Sequence, residues 1–282
     1  MKKPIVAILA VAMLLMGGCR RIADTRPVIS VSVAPIGAMV EAIAGSDYRI
    51  NVLVPEGAAA ETYEPTPQQM VGLADSRLCF FTGTLGFEST MLSTLLSSQR
   101  TPATVRLSDT LTLLPRSLEG GYTDSADPHI WLSVINAKAM ATVICTALCE
   151  ADTAKADLYR ANLMRYGQHL DSVDAQLREM LRPLTHRTLL VHHPALGYYC
   201  RDYGLRQTSI EQDGREPSVA RVEQLVRTCR ADSVQFVLAE QAYQGATADM
   251  LAREAGLRVV RYNPLAPQWE QTLLQLTQTL TQ

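Results

Sequence analysis

The chain predicts an α/β fold of two lobes, each a mostly parallel sheet flanked by helices, bridged by one long rigid α-helix. Three observations lead there. Short apolar, β-branched runs alternate with segments of helical spacing, the pattern of βαβ units and parallel sheets. The alternation stops in mid-chain for one uninterrupted periodic segment, 155–182, and resumes after it. Hydrophobic residues make up 47% and charged residues 19%, enough apolar side chain for a packed core throughout.

The first lobe, 27–152, opens with Arg26-Pro27 and a strand, Val28-Ile29-Ser30-Val31-Ser32-Val33. Helical spacing follows from Pro35 to Ala44, then a strand from Arg49 to Val54 that ends at Pro55-Glu56-Gly57. Thr66 to Asp75 reads as a helix, because Thr66 is a suitable cap and Pro67 takes the first helical position. Leu78 to Phe81 is a third strand, Phe87 to Leu96 a helix and Thr104 to Leu107 a short fourth strand. A Gly-rich stretch, Glu119-Gly120-Gly121-Tyr122, leads into Asp127-Pro128-His129-Ile130-Trp131-Leu132. A helix from Asn136 then breaks near Ala151 to Thr153.

In the linking segment, 153–183, Leu163, Tyr166, Leu170, Val173, Leu177 and Met180 recur at steps of three and four. That spacing keeps one apolar seam against a neighbour. At 1.5 Å per residue the helix spans about 40 Å, and Pro183 ends it. The seam is short for a coiled-coil dimer, so a monomer is expected. In the second lobe, 184–282, strands fall at Thr188–Val191, Gln207–Ile210, Val234–Leu238 and Arg258–Arg261. Helices run from Pro194 to Tyr203, Val219 to Arg230 and Ala246 to Ala255.

Residues 1–19 stand apart from the fold. Lys2 and Lys3, an apolar run to Met16 and then Gly17-Gly18-Cys19 make a charged n-region, a short h-region and a small-residue cleavage site. This is the pattern of a secretory signal. A cysteine directly after Met-Gly-Gly resembles a bacterial lipobox, so Cys19 is the expected lipid attachment site, with Met16 where Leu is more usual. The apolar run is shorter than the roughly 20 residues a spanning helix needs, and no later segment reads as long and apolar enough to span a bilayer. The membrane is reached by the lipid anchor only, in the periplasm or at the cell surface. A net charge of −2 with no basic stripe excludes a nucleic-acid partner. Five of the six cysteines remain beyond the lipobox, an odd set unlike a disulfide framework. Cys145 and Cys149 read as small buried helix residues, and a bridge between Cys200 and Cys229 stays open.

In open parallel sheets, ligands bind beyond the carboxyl ends of the strands. Four donor side chains fall at such places: Glu61 after the second strand, His129 after Asp127-Pro128, His193 after Thr188–Val191, and Asn263 after the last strand. Ligands far apart in sequence and drawn from both lobes make a metal-site pattern. Singly, each has an ordinary explanation, since a lone histidine is more often not a ligand and Asn263 before proline suits a turn. His192 competes with His193, and strand alternation sets the two on opposite faces. His169 and His186 are expected in solvent.

At these residues the chain resembles the metal-specific solute-binding proteins of bacterial ABC importers, which carry zinc, manganese or iron. Val54-Pro55-Glu56-Gly57-Ala58 with Thr62-Tyr63-Glu64-Pro65-Thr66-Pro67 is similar to the family's first ligand loop, and Asp127 to Leu132 to its second. His193-Pro194-Ala195-Leu196-Gly197-Tyr198-Tyr199 with Asp202-Tyr203-Gly204-Leu205 resembles its third. Glu216-Pro217-Ser218 and Asn263-Pro264-Leu265 match later landmarks. The resemblance implies metal held between two lobes by Glu61, His129, His193 and Asn263, and delivery to an ABC permease in the inner membrane, with only modest opening and closing.

The chain departs from that family twice: Glu61 stands where a histidine is usual and Asn263 where an aspartate is usual. No His-rich loop lies between Leu113 and Asp127. Two imidazoles and one carboxylate suit Zn(II) but also Mn(II) and Fe(II), and the Irving–Williams order favours zinc. A water takes the fourth position if Asn263 does not. Because imidazoles bind metal only when neutral, affinity is expected to fall below about pH 6.5. Competing readings are a zinc hydrolase, a binder of another ligand, and a relative that kept the fold and lost tight binding. Against the hydrolase, the sequence has no His-Glu-x-x-His helix, and its candidate general bases are only Glu64 and Glu240. An enzyme is therefore not expected.

Overall fold

The computed structural model describes residues 24–96, 102–118, 121–211, 217–242 and 246–282. Cys19 with the whole leader, and Glu216, lie outside the described residues.

Three βα steps start the chain: β1 (Val28–Val33) and α1 (Ala34–Ala44), β2 (Arg49–Val54) and α2 (Pro67–Ala74), β3 (Ser76–Phe81) and α3 (Gly86–Leu96), then β4 (Ala103–Arg106). The strands pair in parallel in the order β2-β1-β3-β4. Alternation divides the side chains between two faces. Ile29, Val31, Val33, Leu78 and Phe80 enter the main core, while Leu53, Cys79 and Phe81 pack with Leu73 and Met91 on the other side. The start of α2 follows from its sequence. Thr66 accepts from Gln69 N and the Gln69 side chain accepts from Thr66 N, so two otherwise unsatisfied N–H groups are capped.

An antiparallel hairpin, β5 (Pro115–Leu118) and β6 (Gly121–Ala126), follows where the sequence suggested only a Gly-rich link. Next come α4 (Val134–Ala151) and the long α5 (Ala156–Leu181), of 26 residues. Tyr166, Leu170, Val173 and Leu177 of the expected seam are buried, with Leu163 and Met180 packed at its margin. One expectation needs correcting, because α4 is long and apolar enough to cross a membrane. It is instead a core helix: Ala137, Met140, Ala141, Ile144 and Leu148 are all buried in the main core.

The second sheet contains β7 (Thr188–Val191), β8 (Arg206–Ser209), β9 (Phe236–Glu240) and β10 (Arg258–Tyr262), parallel in the order β10-β9-β7-β8. Its helices are α6 (Gly197–Tyr203), α7 (Val219–Ala231), α8 (Ala246–Ala255) and α9 (Trp269–Leu280). Leu190, Ile210, Val237 and Ala239 face α7 and α8, whereas Leu189, Val191, Phe236 and Leu238 join the main core with α6 and α9. That core runs unbroken from Ile29 in the first sheet through α4 and α5 to Leu276 in α9. The helix expected from Pro194 begins only at Gly197. Pro194 disfavours helical backbone at His193, and 193–195 form a tight turn closed by Ala195 N donating to His193 O at 2.8 Å. Gly204, at φ 66°, closes α6 in the left-handed conformation that favours glycine. Cys200 and Cys229 are both buried and free, in separate cores, so no bridge joins them. Cys145 and Cys149 are packed on α4 with sulfurs 3.9 Å apart.

Candidate metal centre

Three loops at the carboxyl ends of strands bring Glu61, His129 and His193 together. The loop after β2 is folded by two turns, Ala58 N donating to Pro55 O at 3.3 Å and Thr62 N to Ala59 O at 3.2 Å. Gln69 secures its base by donating to Val52 O and Leu53 O, and Tyr63 OH reaches Gln69 at 3.1 Å. The second loop leaves β6. Asp127 Oδ1 accepts from both the His129 backbone N, at 2.9 Å, and its ring Nδ1, at 2.8 Å. An acceptor-only carboxylate at Nδ1 places the proton there and leaves the Nε2 lone pair facing outward. In the third loop His192 N still bonds Leu238 O in the ladder, and the next residue, His193, turns out beyond the sheet. Its Nδ1 lies 3.3 Å from Glu211 Oε2.

The three donor atoms lie within 4.8 Å of one another. Glu61 Oε1 is 3.4 Å from His193 Nε2 and 3.8 Å from His129 Nε2. Tetrahedral ligands about 2.05 Å from zinc sit about 3.3 Å apart, so small movements would close this set on an ion. Both imidazoles are buried, at 5% side-chain exposure each, and Glu61 is at 15%, so the donors are shielded from bulk water. The other oxygen of Glu61 is ion-paired with Arg116 of β5. A cavity of about 300 Å³ opens beside the cluster, with Glu61, Arg116, His129 and Arg201 in its wall.

Residues 29–282 match the family described as zinc-uptake complex component A, periplasmic. The chain belongs to that family. The solved structure of ZnuA superposes with a TM-score of 0.84 at 33% identity, covering 91% of this chain and 98% of its own. The zinc-binding lipoprotein AdcA of Streptococcus pneumoniae is 25% identical over 86% of this chain, which spans only 51% of that relative's length. The iron-binding protein YfeA of Yersinia pestis is 29% identical over 76% of this chain and 69% of its own.

Charge in this zinc-uptake family member's cluster is strongly coupled. Burial opposes ionisation of Glu61, yet the His193 hydrogen bond and the charges of His129, His193 and Arg116 hold its pKa down at about 2. Burial likewise opposes charging of His193, but hydrogen bonds to Glu211 and Glu61 and the charge of Glu240 push it up to about 10. Glu240, at the end of β9, is 4% exposed, and its Oε1 has no hydrogen-bond partner among the described residues. Burial raises its pKa against the pull of His193 and His129.

Asn263 lies in the loop after β10, its amide donating to Glu56 at 3.2 Å and its carbonyl accepting from Leu265 N at 3.0 Å. It thus links the loops of the two four-stranded sheets, and Trp131 Nε1, in the loop after β6, donates to Pro264 O at 2.9 Å. His192 is buried off the cluster, while His169 and His186 are exposed as expected. Glu64 is exposed. Sequence reasoning did not single out Asp127, Glu211 or Arg116 for their parts in the site. Only Asp127 carried a local signal, being two residues before His129.

Proposed function

We propose that this protein captures a divalent transition metal, zinc foremost, in the cell envelope and delivers it to an ABC permease, acting as a carrier and not an enzyme. The observation that carries the reading is the convergence of Glu61 Oε1, His129 Nε2 and His193 Nε2 from three strand-end loops. Each is backed by a partner that orients it: Arg116, Asp127 and Glu211 respectively. In this reading those three ligate the metal, and the fourth position falls to Asn263 or to a water. The Asn263 carbonyl already accepts from Leu265 N, so it offers its second lone pair. Two nitrogens and one carboxylate oxygen favour zinc over manganese or iron by intrinsic affinity, while manganese or iron as physiological cargo is the second reading. The AdcA and YfeA names, zinc and iron, support that range. The leader pattern and a lipoprotein relative support export and lipid attachment at Cys19.

Elemental analysis and competitive titration with Zn(II), Mn(II) and Fe(II) test the reading on wild type and on Glu61→Ala, His129→Ala, His193→Ala and Asn263→Ala. One tightly held equivalent of zinc, lost in the first three variants, is expected. The Asn263 variant tells a protein ligand from a water. Binding indifferent to all four changes refutes the site. Release of the protein from membranes in Cys19→Ala cells tests the anchor.

A further inference from the structure

Glu61 is a carboxylate with two oxygens, and free to rotate it could grip a cation with both. The structure turns the second oxygen toward a different cation. Oε2 is taken by the Arg116 guanidinium, and only Oε1 faces the imidazoles. Arg116 is also built into the frame that carries His129. It lies on β5, whose partner β6 runs directly into Asp127-Pro128-His129, and Pro115 pairs with Ala126. Asp127 N donates to Leu114 O at 2.8 Å, closing the hairpin base. Tyr198 of α6 clamps that base from the second sheet: its hydroxyl accepts from Leu114 N at 3.2 Å and donates to Asp127 O at 2.9 Å. One short hairpin therefore fixes both the His129 ring and the cation that restrains Glu61.

We propose that Arg116 is a specificity-determining residue, which holds Glu61 as a single-atom donor and so biases the centre toward four-coordinate zinc against manganese. The inference rests on the metal-site reading above. Zinc is satisfied by four ligands, whereas manganese suits six oxygen-rich positions. A carboxylate whose second oxygen is held by a guanidinium is biased against filling two of those positions. The guanidinium also balances the carboxylate charge, leaving the donor set near neutral and withdrawing the electrostatic gain that would serve any dication alike.

The test uses the full mature protein as wild type, Arg116→Met, Arg116→Lys, Glu61→His and the Glu61→His/Arg116→Met double variant. Two quantities are read: the Zn(II)/Mn(II) affinity ratio by competition, and the visible d–d absorption of the Co(II) form, intense for four-coordinate and weak for six-coordinate cobalt. Arg116→Met is expected to lower the zinc/manganese ratio about tenfold or more and to weaken the cobalt band. Arg116→Lys, which keeps a cation on Oε2, is expected to retain most of both. In the Glu61→His background an imidazole has one lone pair to offer, so removing Arg116 should leave the ratio unchanged. Circular dichroism confirms that each variant is folded. Wild type that binds zinc while Arg116→Met leaves ratio and band unaltered overturns the inference and spares the metal site. Wild type that binds no metal overturns both.

Discussion

Zinc binding should expel a proton from His193 across the whole neutral range. The geometry behind this is a buried imidazole between two carboxylates, with Glu211 Oε2 at 3.3 Å from Nδ1 and Glu61 Oε1 at 3.4 Å from Nε2. With the His193 pKa up at about 10, the metal-free site holds that proton at pH 8 as well as at pH 6. Glu61, held at about 2, is already ionised and contributes none. The sign is fixed: a raised folded pKa means protons compete with metal everywhere below it. One displaced proton weakens apparent affinity about tenfold, or about 1.4 kcal/mol, for each unit of pH lost. From pH 8 to pH 6 the expected loss is about 100-fold. Imidazoles titrating near 6.5, as the sequence alone suggests, would leave pH 7 to 8 nearly flat. That window therefore discriminates. Competition against a chromophoric chelator at pH 7.0 and 8.0 measures the slope, and calorimetry in buffers of different ionisation enthalpy counts the protons released. Glu211→Gln should flatten the slope by removing an anion from His193. A flat wild-type response between pH 7 and 8, with no proton released, would refute the reasoning.

Other consequences follow from the same contacts. A Cβ at Gly197 would meet Asp127 Oδ2 at 2.3 Å, so Gly197→Ala should dislodge the carboxylate that orients His129 and cost about 10- to 100-fold in zinc affinity, with far-ultraviolet circular dichroism unchanged. Unaltered affinity would show that Asp127 is not needed. Glu240, whose pKa is raised by burial, favours the fold below its unfolded pKa and weakens it as pH climbs. Glu240→Gln should then raise the metal-free melting temperature at pH 8 by a few degrees, and a fall would contradict the assignment. Leu170 is fully buried in the core that joins α5 to both sheets, and Leu170→Ala should cost about 2–5 kcal/mol in one cooperative transition. Two separate transitions in calorimetry would mean that the sheets melt independently.

What the sequence revealed, and what it hid, follows the range of each interaction. The α5 seam and the Thr66–Gln69 cap are local patterns, repeated or closed within a few residues, and the fold reproduces them. His193 was legible because a strand end fixes where the next side chain points, Glu61 because it sits after β2, and His129 through the Asp127-Pro128-His129 motif. The C-terminal helix α9 is not among the sequence-derived elements, although Trp269, Leu273, Leu276 and Leu280 carry helical spacing. The β5–β6 hairpin lacks the apolar alternation that marks a strand, since Ser117, Thr123, Asp124 and Ser125 leave little to count. Glu211 and Arg116 were invisible as partners for another reason. They meet His193 and Glu61 across 18 and 55 residues of chain, so only the assembled fold pairs them.

The continuous core also bears on how metal is let go. A two-lobed carrier with separate cores could open about a hinge, but here α4 and α5 share buried side chains with both sheets. The cleft is further tied by Trp131 to Pro264, Asn263 to Glu56 and Tyr198 to Asp127. Opening therefore requires breaking these loop contacts locally, each a hydrogen bond worth about 1 kcal/mol net, and not bending α5. Protonation acts on the same residues with comparable energy, since a unit of pH at His193 is worth about 1.4 kcal/mol. Loss of a few cross-cleft bonds together with reprotonation of His193 would lower affinity by orders of magnitude without any large rearrangement. In the proposed reading, delivery is a matter of loosening three loops on a fixed frame.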